Sequence, residues 1–159
     1  MSSFNASTPF ILIARVTVKP ENISAYLELA KKTDDAVNAS EPGMLHHTFD
    51  QDPENECVFT WSEVYENDAA MLKHLSNPPV GEYLKKHAEL AEDKEGVRNF
   101  VVEVYGTIGE ELRKALEGTG LPLKVFESKL GYSRCGGGSG AALLAGAWLD
   151  LGLMRHVDV

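Results

Sequence analysis

The sequence predicts an α+β fold in which one antiparallel sheet carries helices on a single face. Three observations point there. Apolar, β-branched runs and helical runs follow one another in the order strand, helix, strand, strand, helix, strand. The second and third strands are separated only by the polar link "DQDPEN" (residues 50–55), rich in residues that favour turns, so they should form an antiparallel hairpin. The helical runs gather their apolar residues on one side, as elements packed against something flat do.

Taken in order, "FILIARVTV" (10–18) is rich in β-branched residues and bounded by Pro9 and Pro20, which marks a well-buried strand. "PENISAYLELAKKTDDAVNAS" (20–40) opens with Pro20, suited to a first helical turn, and with Glu21 at the positive end of the helix dipole. Ile23, Tyr26, Leu27, Ala30 and Val37 fall on one face of that helix. Residues 41–65 supply the hairpin. "NDAAMLKHL" (67–75) begins a second helical region behind an Asn-Asp cap. "NPPV" interrupts it, and "GEYLKKHAELAEDK" (81–94) continues it with Tyr83, Leu84, His87 and Leu90 near one face. "GVRNFVVEVYGTI" (96–108) is a further strand. This order is the split βαβ arrangement of ferredoxin-like folds. The sheet face without helices carries too much apolar surface to leave wet, and a second copy of the chain is the economical cover.

Beyond the core, "GEELRKALEGTG" (109–120) reads as a short helix stopped by glycine, and "LPLKVFESKLGYSR" (121–134) as another strand. An added strand needs an edge to pair with, its own or a partner's, and the partner's edge is the expectation. "CGGGSG" is a flexible spacer, and residues 141–159 are either disordered or a short helix seeking an apolar groove. The organisation is therefore a domain over 10–108, a helix-strand extension over 109–134, and a glycine-rich spacer and tail over 135–159.

The chain has 159 residues, 43% hydrophobic and 25% charged, enough for one domain with a genuine core. Fifteen Lys and Arg against 24 Asp and Glu give a net charge of -9, the wrong sign for gripping phosphates, so nucleic acid is not an expected partner. Cys57 and Cys135 form neither a disulfide framework nor a zinc pattern, which favours a reducing compartment. The start lacks a basic region ahead of a sustained apolar run, and "AALLAGAWLDLGLM" (141–154) is too short for a membrane helix. The expectation is a cytoplasmic protein that does not engage a membrane.

"GMLHHTF" (43–49) sets two histidines side by side on a strand, where successive side chains point to opposite faces. Leu45, His47 and Phe49 should share one face, and Met44, His46 and Thr48 the other. On the next strand the bulky set Phe59, Trp61, Glu63 and Tyr65 suits contact with helices, whereas Val58, Thr60, Ser62 and Val64 do not. His47 is therefore expected under the helices and His46 towards solvent or a partner. Divergence of the two imidazoles also argues against a metal site built from His46, His47 and Glu63.

The stretch from Glu41 to Pro78 resembles the antibiotic biosynthesis monooxygenase domain family. It supplies Glu41, Pro42 and Gly43 for that family's turn, Glu63 and Tyr65 for its Glu-x-aromatic pair, and His74, Ser76 and Pro78 for its helix. "VTVKPENISAYLEL" is similar to the family's first strand and helix, so the likeness spans about residues 10–108. It implies a dimeric α+β barrel, two ferredoxin-like subunits joined through their sheets, each with a pocket between sheet and helices. It also implies oxygenation of quinols or phenols without metal or flavin, haem degradation, or isomerisation of a small phosphorylated sugar. Two features depart from the haem-degrading members: the first strand lacks their Asn, and His74 stands near the place of their Trp. Only His87 could match their iron ligand.

Burial lowers a histidine's pKa, and a neutral imidazole can take a proton from a phenol or an enolisable carbonyl. His47 or His74 is the candidate base, with Glu63 orienting a histidine or accepting a proton, and no cofactor is called for. Trp61, Tyr65 and Phe59 are the candidate walls for a flat substrate. Duller roles compete: packed core aromatics for the walls, a solvated helix position for His87, and for Glu63 a bond to a helix or to Arg15, Arg98 or Arg134. The expected function is a monooxygenase acting on a small aromatic or quinol. The alternatives are an isomerase or lyase on a small carbonyl compound, or a noncatalytic dimeric barrel that binds a ligand.

Overall fold

A computed structural model describes residues 4–92 and 99–133. The elements are β1 (Phe10–Thr17), α1 (Ile23–Ser40), β2 (Met44–Gln51), β3 (Val58–Tyr65), α2 (Asp68–Leu75), α3 (Pro78–Leu90), β4 (Phe100–Tyr105), α4 (Glu110–Gly118) and β5 (Leu123–Phe126). They form one five-stranded sheet in the order β2-β3-β1-β4-β5, with the core between the sheet and the helices.

Sequence pattern and packing agree along most of the chain. On β1, Phe10, Leu12, Ala14 and Val16 are buried while their neighbours are not, the period-two signature of a sheet covered on one side. On α1 the buried stripe is Tyr26, Ala30, Thr33 and Val37. Leu27, expected in that stripe, is exposed, because one residue along a helix rotates a side chain about 100° away from its neighbour. The Asn67 side chain caps α2 by accepting from the Ala70 N–H at 3.0 Å. Pro78 opens α3 at its first turn, so "NPP" separates two helices instead of kinking one.

The first four strands pair antiparallel. Two expectations need correction at the far edge. Strand β5 pairs parallel to β4 of its own chain, which makes the sheet mixed and leaves no need for a partner's edge. The physical reason is α4: a helix between two strands is the crossover that parallel pairing requires. The strand is also shorter than residues 121–134, ending at Phe126. Leu112 and Leu116 of α4 are buried in the same core as the rest of the domain.

A further correction concerns β2. Its register shifts between Met44 and His46, so Leu45 is the extra residue of a bulge and stands exposed. Met44, opposite Tyr65, packs against the core instead, and simple alternation holds only from His46 onward. Immediately before the strand, a Cβ on Gly43 would lie 2.7 Å from Ala70 Cβ, so glycine there lets α2 approach the turn.

The helix-free face exposes Ile11, Tyr105 and Phe126, the last two stacked at 4.7 Å. Arg15 lies on this face, paired with Glu103, and so is not the partner proposed for Glu63. Among the described residues no helix is long and apolar enough to cross a membrane. Arg98, Arg134, Cys135 and the expectations for residues 135–159 lie outside the described residues.

Candidate active site

The β2-β3 hairpin places His47 directly opposite Glu63 and Phe49 opposite Trp61, all facing the helices. His47 is 8% exposed, its ring stacked on Trp61 with centroids 4.4 Å apart and planes 17° from parallel. Its Nδ1 lies 2.7 Å from Asp34 Oδ1 on α1, and its Nε2 3.7 Å from Glu63 Oε1. A carboxylate at Nδ1 holds the proton there and leaves Nε2 as the basic nitrogen. His46 pairs in register with Val64 on the opposite face and is exposed, so the two neighbouring imidazoles do diverge.

Glu63 is buried, and its Oε2 accepts the Tyr65 hydroxyl at 2.7 Å. Burial, reinforced by the Glu63 charge and that bond, pushes the Tyr65 phenol far above its ordinary value, so it remains a donor. From α2, His74 brings its ring to 6.2 Å from His47 and 5.7 Å from Tyr65. Its Nδ1 lies 2.9 Å from Glu41 Oε2, whose other oxygen accepts from Asn77. Burial works against ionisation of Glu41, but the bonds from His74 and Asn77 outweigh it and hold the carboxyl below its usual range. Both histidines are therefore seated on carboxylates through Nδ1.

Between sheet and helices these groups border a cavity of about 70 Å³. His47, Glu63, His74 and Trp61 form its polar end; Leu12 and Ala14 of β1 and Leu84 of α3 continue it in apolar lining. At about 10–15 Å³ for each water, it can take several waters or a small ligand group.

The structure thus gathers His47, His74, Glu63 and Trp61 around one hollow. Phe59 and Tyr65 sit elsewhere: Phe59 stacks on Phe49 at 4.9 Å inside the core, and Tyr65 stacks on Phe10 at 5.4 Å behind Glu63. Neither is a wall of the cavity. His87 is a clear correction: it is not solvated but 5% exposed, its Nδ1 2.6 Å from the Tyr26 hydroxyl. Burial, against a smaller opposing pull from Asn99, pushes its pKa down to about 4.

Sequence reasoning missed Asp34 and Glu41 as histidine partners, and Tyr83, whose hydroxyl accepts from Trp61 Nε1 at 2.7 Å. The one available signal for Asp34 was its place beside the buried stripe of α1, one residue after Thr33 and three before Val37.

Comparison with known proteins agrees with this architecture. The family profile described as antibiotic biosynthesis monooxygenase matches residues 9–86. An uncharacterised Synechocystis protein, sll1783, is 28% identical over 85 residues, 54% of this chain and 57% of that protein, so the match spans little more than half of the relative's length. The solved structure of MupZ from Pseudomonas fluorescens aligns with a TM-score of 0.60 at 19% identity, covering 80% of this chain and 95% of that one. A candidate antibiotic biosynthesis monooxygenase from Caulobacter crescentus aligns at 0.56 and 17% identity, covering 62% and 89%. Rv0793 from Mycobacterium tuberculosis aligns at 0.55 and 20% identity, covering 65% and 98%.

Proposed function

Since the chain belongs, through residues 9–86, to the antibiotic biosynthesis monooxygenase family, we propose that it oxygenates a small aromatic or quinol-type substrate with O2, using no cofactor. The observation that carries this reading is His47, a buried imidazole seated on a carboxylate with its basic nitrogen at the polar end of the cavity between sheet and helices.

In the proposed reaction His47 Nε2 takes the proton of a phenolic hydroxyl, leaving a phenolate. Glu63 steadies the imidazolium that results, and the stacked Trp61 ring keeps the imidazole in place. The phenolate delivers an electron to O2; a carbon–oxygen bond then forms at a ring carbon bearing hydrogen, and the peroxide accepts the proton from His47. Cleavage of the O–O bond with loss of that hydrogen releases water and leaves a quinone carbonyl. Phenol and O2 thus give quinone and water, with the substrate as reductant. Low exposure supports this chemistry by excluding water from the charged intermediates.

The open sheet face, with Ile11, Tyr105 and Phe126 exposed, supports a homodimer formed sheet to sheet. Light scattering of the full chain tests it, a monomer refuting the barrel.

The function is tested by oxygen uptake with naphthols and quinols. Uptake that falls about 100-fold or more in His47→Ala is the expected result, in line with the loss of a general base. Turnover of an enolisable carbonyl compound without O2 uptake would instead establish the isomerase alternative.

A further inference from the structure

Behind the cavity runs a chain of hydrogen bonds whose last member faces another opening. Trp61 Nε1 donates to the Tyr83 hydroxyl at 2.7 Å, the Tyr83 and Tyr26 hydroxyls lie 2.6 Å apart, and Tyr26 is 2.6 Å from His87 Nδ1. Indole only donates, so the Tyr83 oxygen accepts from it. If the chain then runs from Tyr83 to Tyr26 to His87, every hydroxyl proton has an acceptor. The opposite direction strands the Tyr83 proton in the core and leaves His87 Nε2 unpaired as well, so the first direction wins. His87 is therefore protonated on Nε2. That N–H is buried and makes no hydrogen bond of ordinary geometry among the described residues; the Asn99 side chain, which lines the same cleft, exerts only a secondary pull on the ring.

His87 also lines an open cleft of about 480 Å³. Leu84, Phe100, Thr119 and Leu121 line both this cleft and the inner cavity, so the two share a wall and form one continuous surface from His47 to His87.

We propose that the cleft is a second ligand subsite, one that takes an uncharged apolar group carrying a hydrogen-bond acceptor, a ketone or quinone carbonyl, on His87 Nε2. A neutral N–H in a cleft whose other polar side chains, Asn99 and Thr119, are uncharged offers no charge to offset that of a carboxylate, and the chain's net charge of -9 also repels anions. Resting on the function proposed above, the substrate is then two-ended: a hydroxyl-bearing ring against His47 and a second oxygen against His87. The subsite itself does not depend on that reading.

The test uses the full chain labelled with 15N at histidine. Cyclohexanone serves as the acceptor probe and methylcyclohexane as the control of similar shape without an acceptor. Saturable movement of the His87 Nε2 resonance with cyclohexanone, with binding at least tenfold weaker for methylcyclohexane, is the expected result. Ala88→Leu fills the cleft from its exposed rim without touching the hydrogen-bond chain, and should weaken cyclohexanone binding at least tenfold while leaving the His87 resonance of the free protein in place. Equal response to both probes, movement that never saturates, or undiminished binding in Ala88→Leu would overturn the subsite. Added separately, 1,4-naphthoquinone reports on the inner cavity: no response at His47 while cyclohexanone still binds at His87 counts against the aromatic substrate and leaves the subsite standing.

Discussion

Acidification should destabilise this protein through His87 before most of its carboxylates protonate. The folded imidazole has its pKa pushed from 6.5 down to about 4 by burial, so between these values the unfolded chain holds a proton that the folded one does not. Stability from this group is thus complete above pH 6.5 and is lost as the pH falls towards 4. Lowering from 6.5 to about 4 corresponds to about 3 kcal/mol in full, and to about 2 kcal/mol by pH 5. Tyr26, Tyr83 and Phe100 are the rings packed around it, and none supplies the negative charge that would keep it protonated. Urea unfolding of the full chain at pH 7.5, 6, 5.5 and 5 measures the effect, with His87→Phe as reference. Glu41, whose folded pKa is depressed, also loses its contribution on acidification, but it does so in both proteins and cancels in the comparison. The wild type should lose about 2 kcal/mol more than His87→Phe between pH 7.5 and pH 5. Equal losses would refute the burial of a neutral imidazole at this position.

Other outcomes follow from single contacts. Gly43→Ala should cost about 1–3 kcal/mol in urea unfolding, because the new methyl meets Ala70 Cβ at 2.7 Å. Adding Ala70→Gly should make the double variant more stable than the sum of the two single changes requires, whereas additivity would show that the turn and α2 are not in contact. Asp34 is a positioning residue, half-exposed and bonded to His47 Nδ1. Asp34→Asn should raise the share of the Nε2–H tautomer of His47 in 15N spectra while changing stability by less than about 1 kcal/mol, and an unchanged tautomer ratio would remove Asp34 from the site.

The course of the hairpin was legible in the sequence because a sheet covered on one face writes its sidedness into alternate residues. Phe59, Trp61, Glu63 and Tyr65 are all buried, and His47 lies beneath the helices. The Leu45 bulge was not legible: an inserted residue leaves no mark in a run of apolar and aromatic side chains. Nor were the partners of the histidines. Asp34 and Glu41 sit on or beside α1, far along the chain from His74 or across the turn from His47, and only packing of α1 and α2 over the hairpin brings them together. His87 was misread because "KKHAEL" surrounds it with solvated residues; what buries it is Tyr26 of α1, another contact made in three dimensions. The pairing of β5 depended on recognising residues 110–118 as a crossover helix instead of an appendage.

The central claim is that His47 removes a proton from a bound phenolic ring. Anaerobic binding of 1,4-dihydroxynaphthalene, followed by its absorption spectrum, tests this directly, since without O2 the reaction stops at proton transfer. The account expects the red-shifted band of the naphtholate to appear on binding to the wild type and to be lost in His47→Ala. The same spectrum in both proteins, or a bound ligand that stays protonated in the wild type, would contradict it.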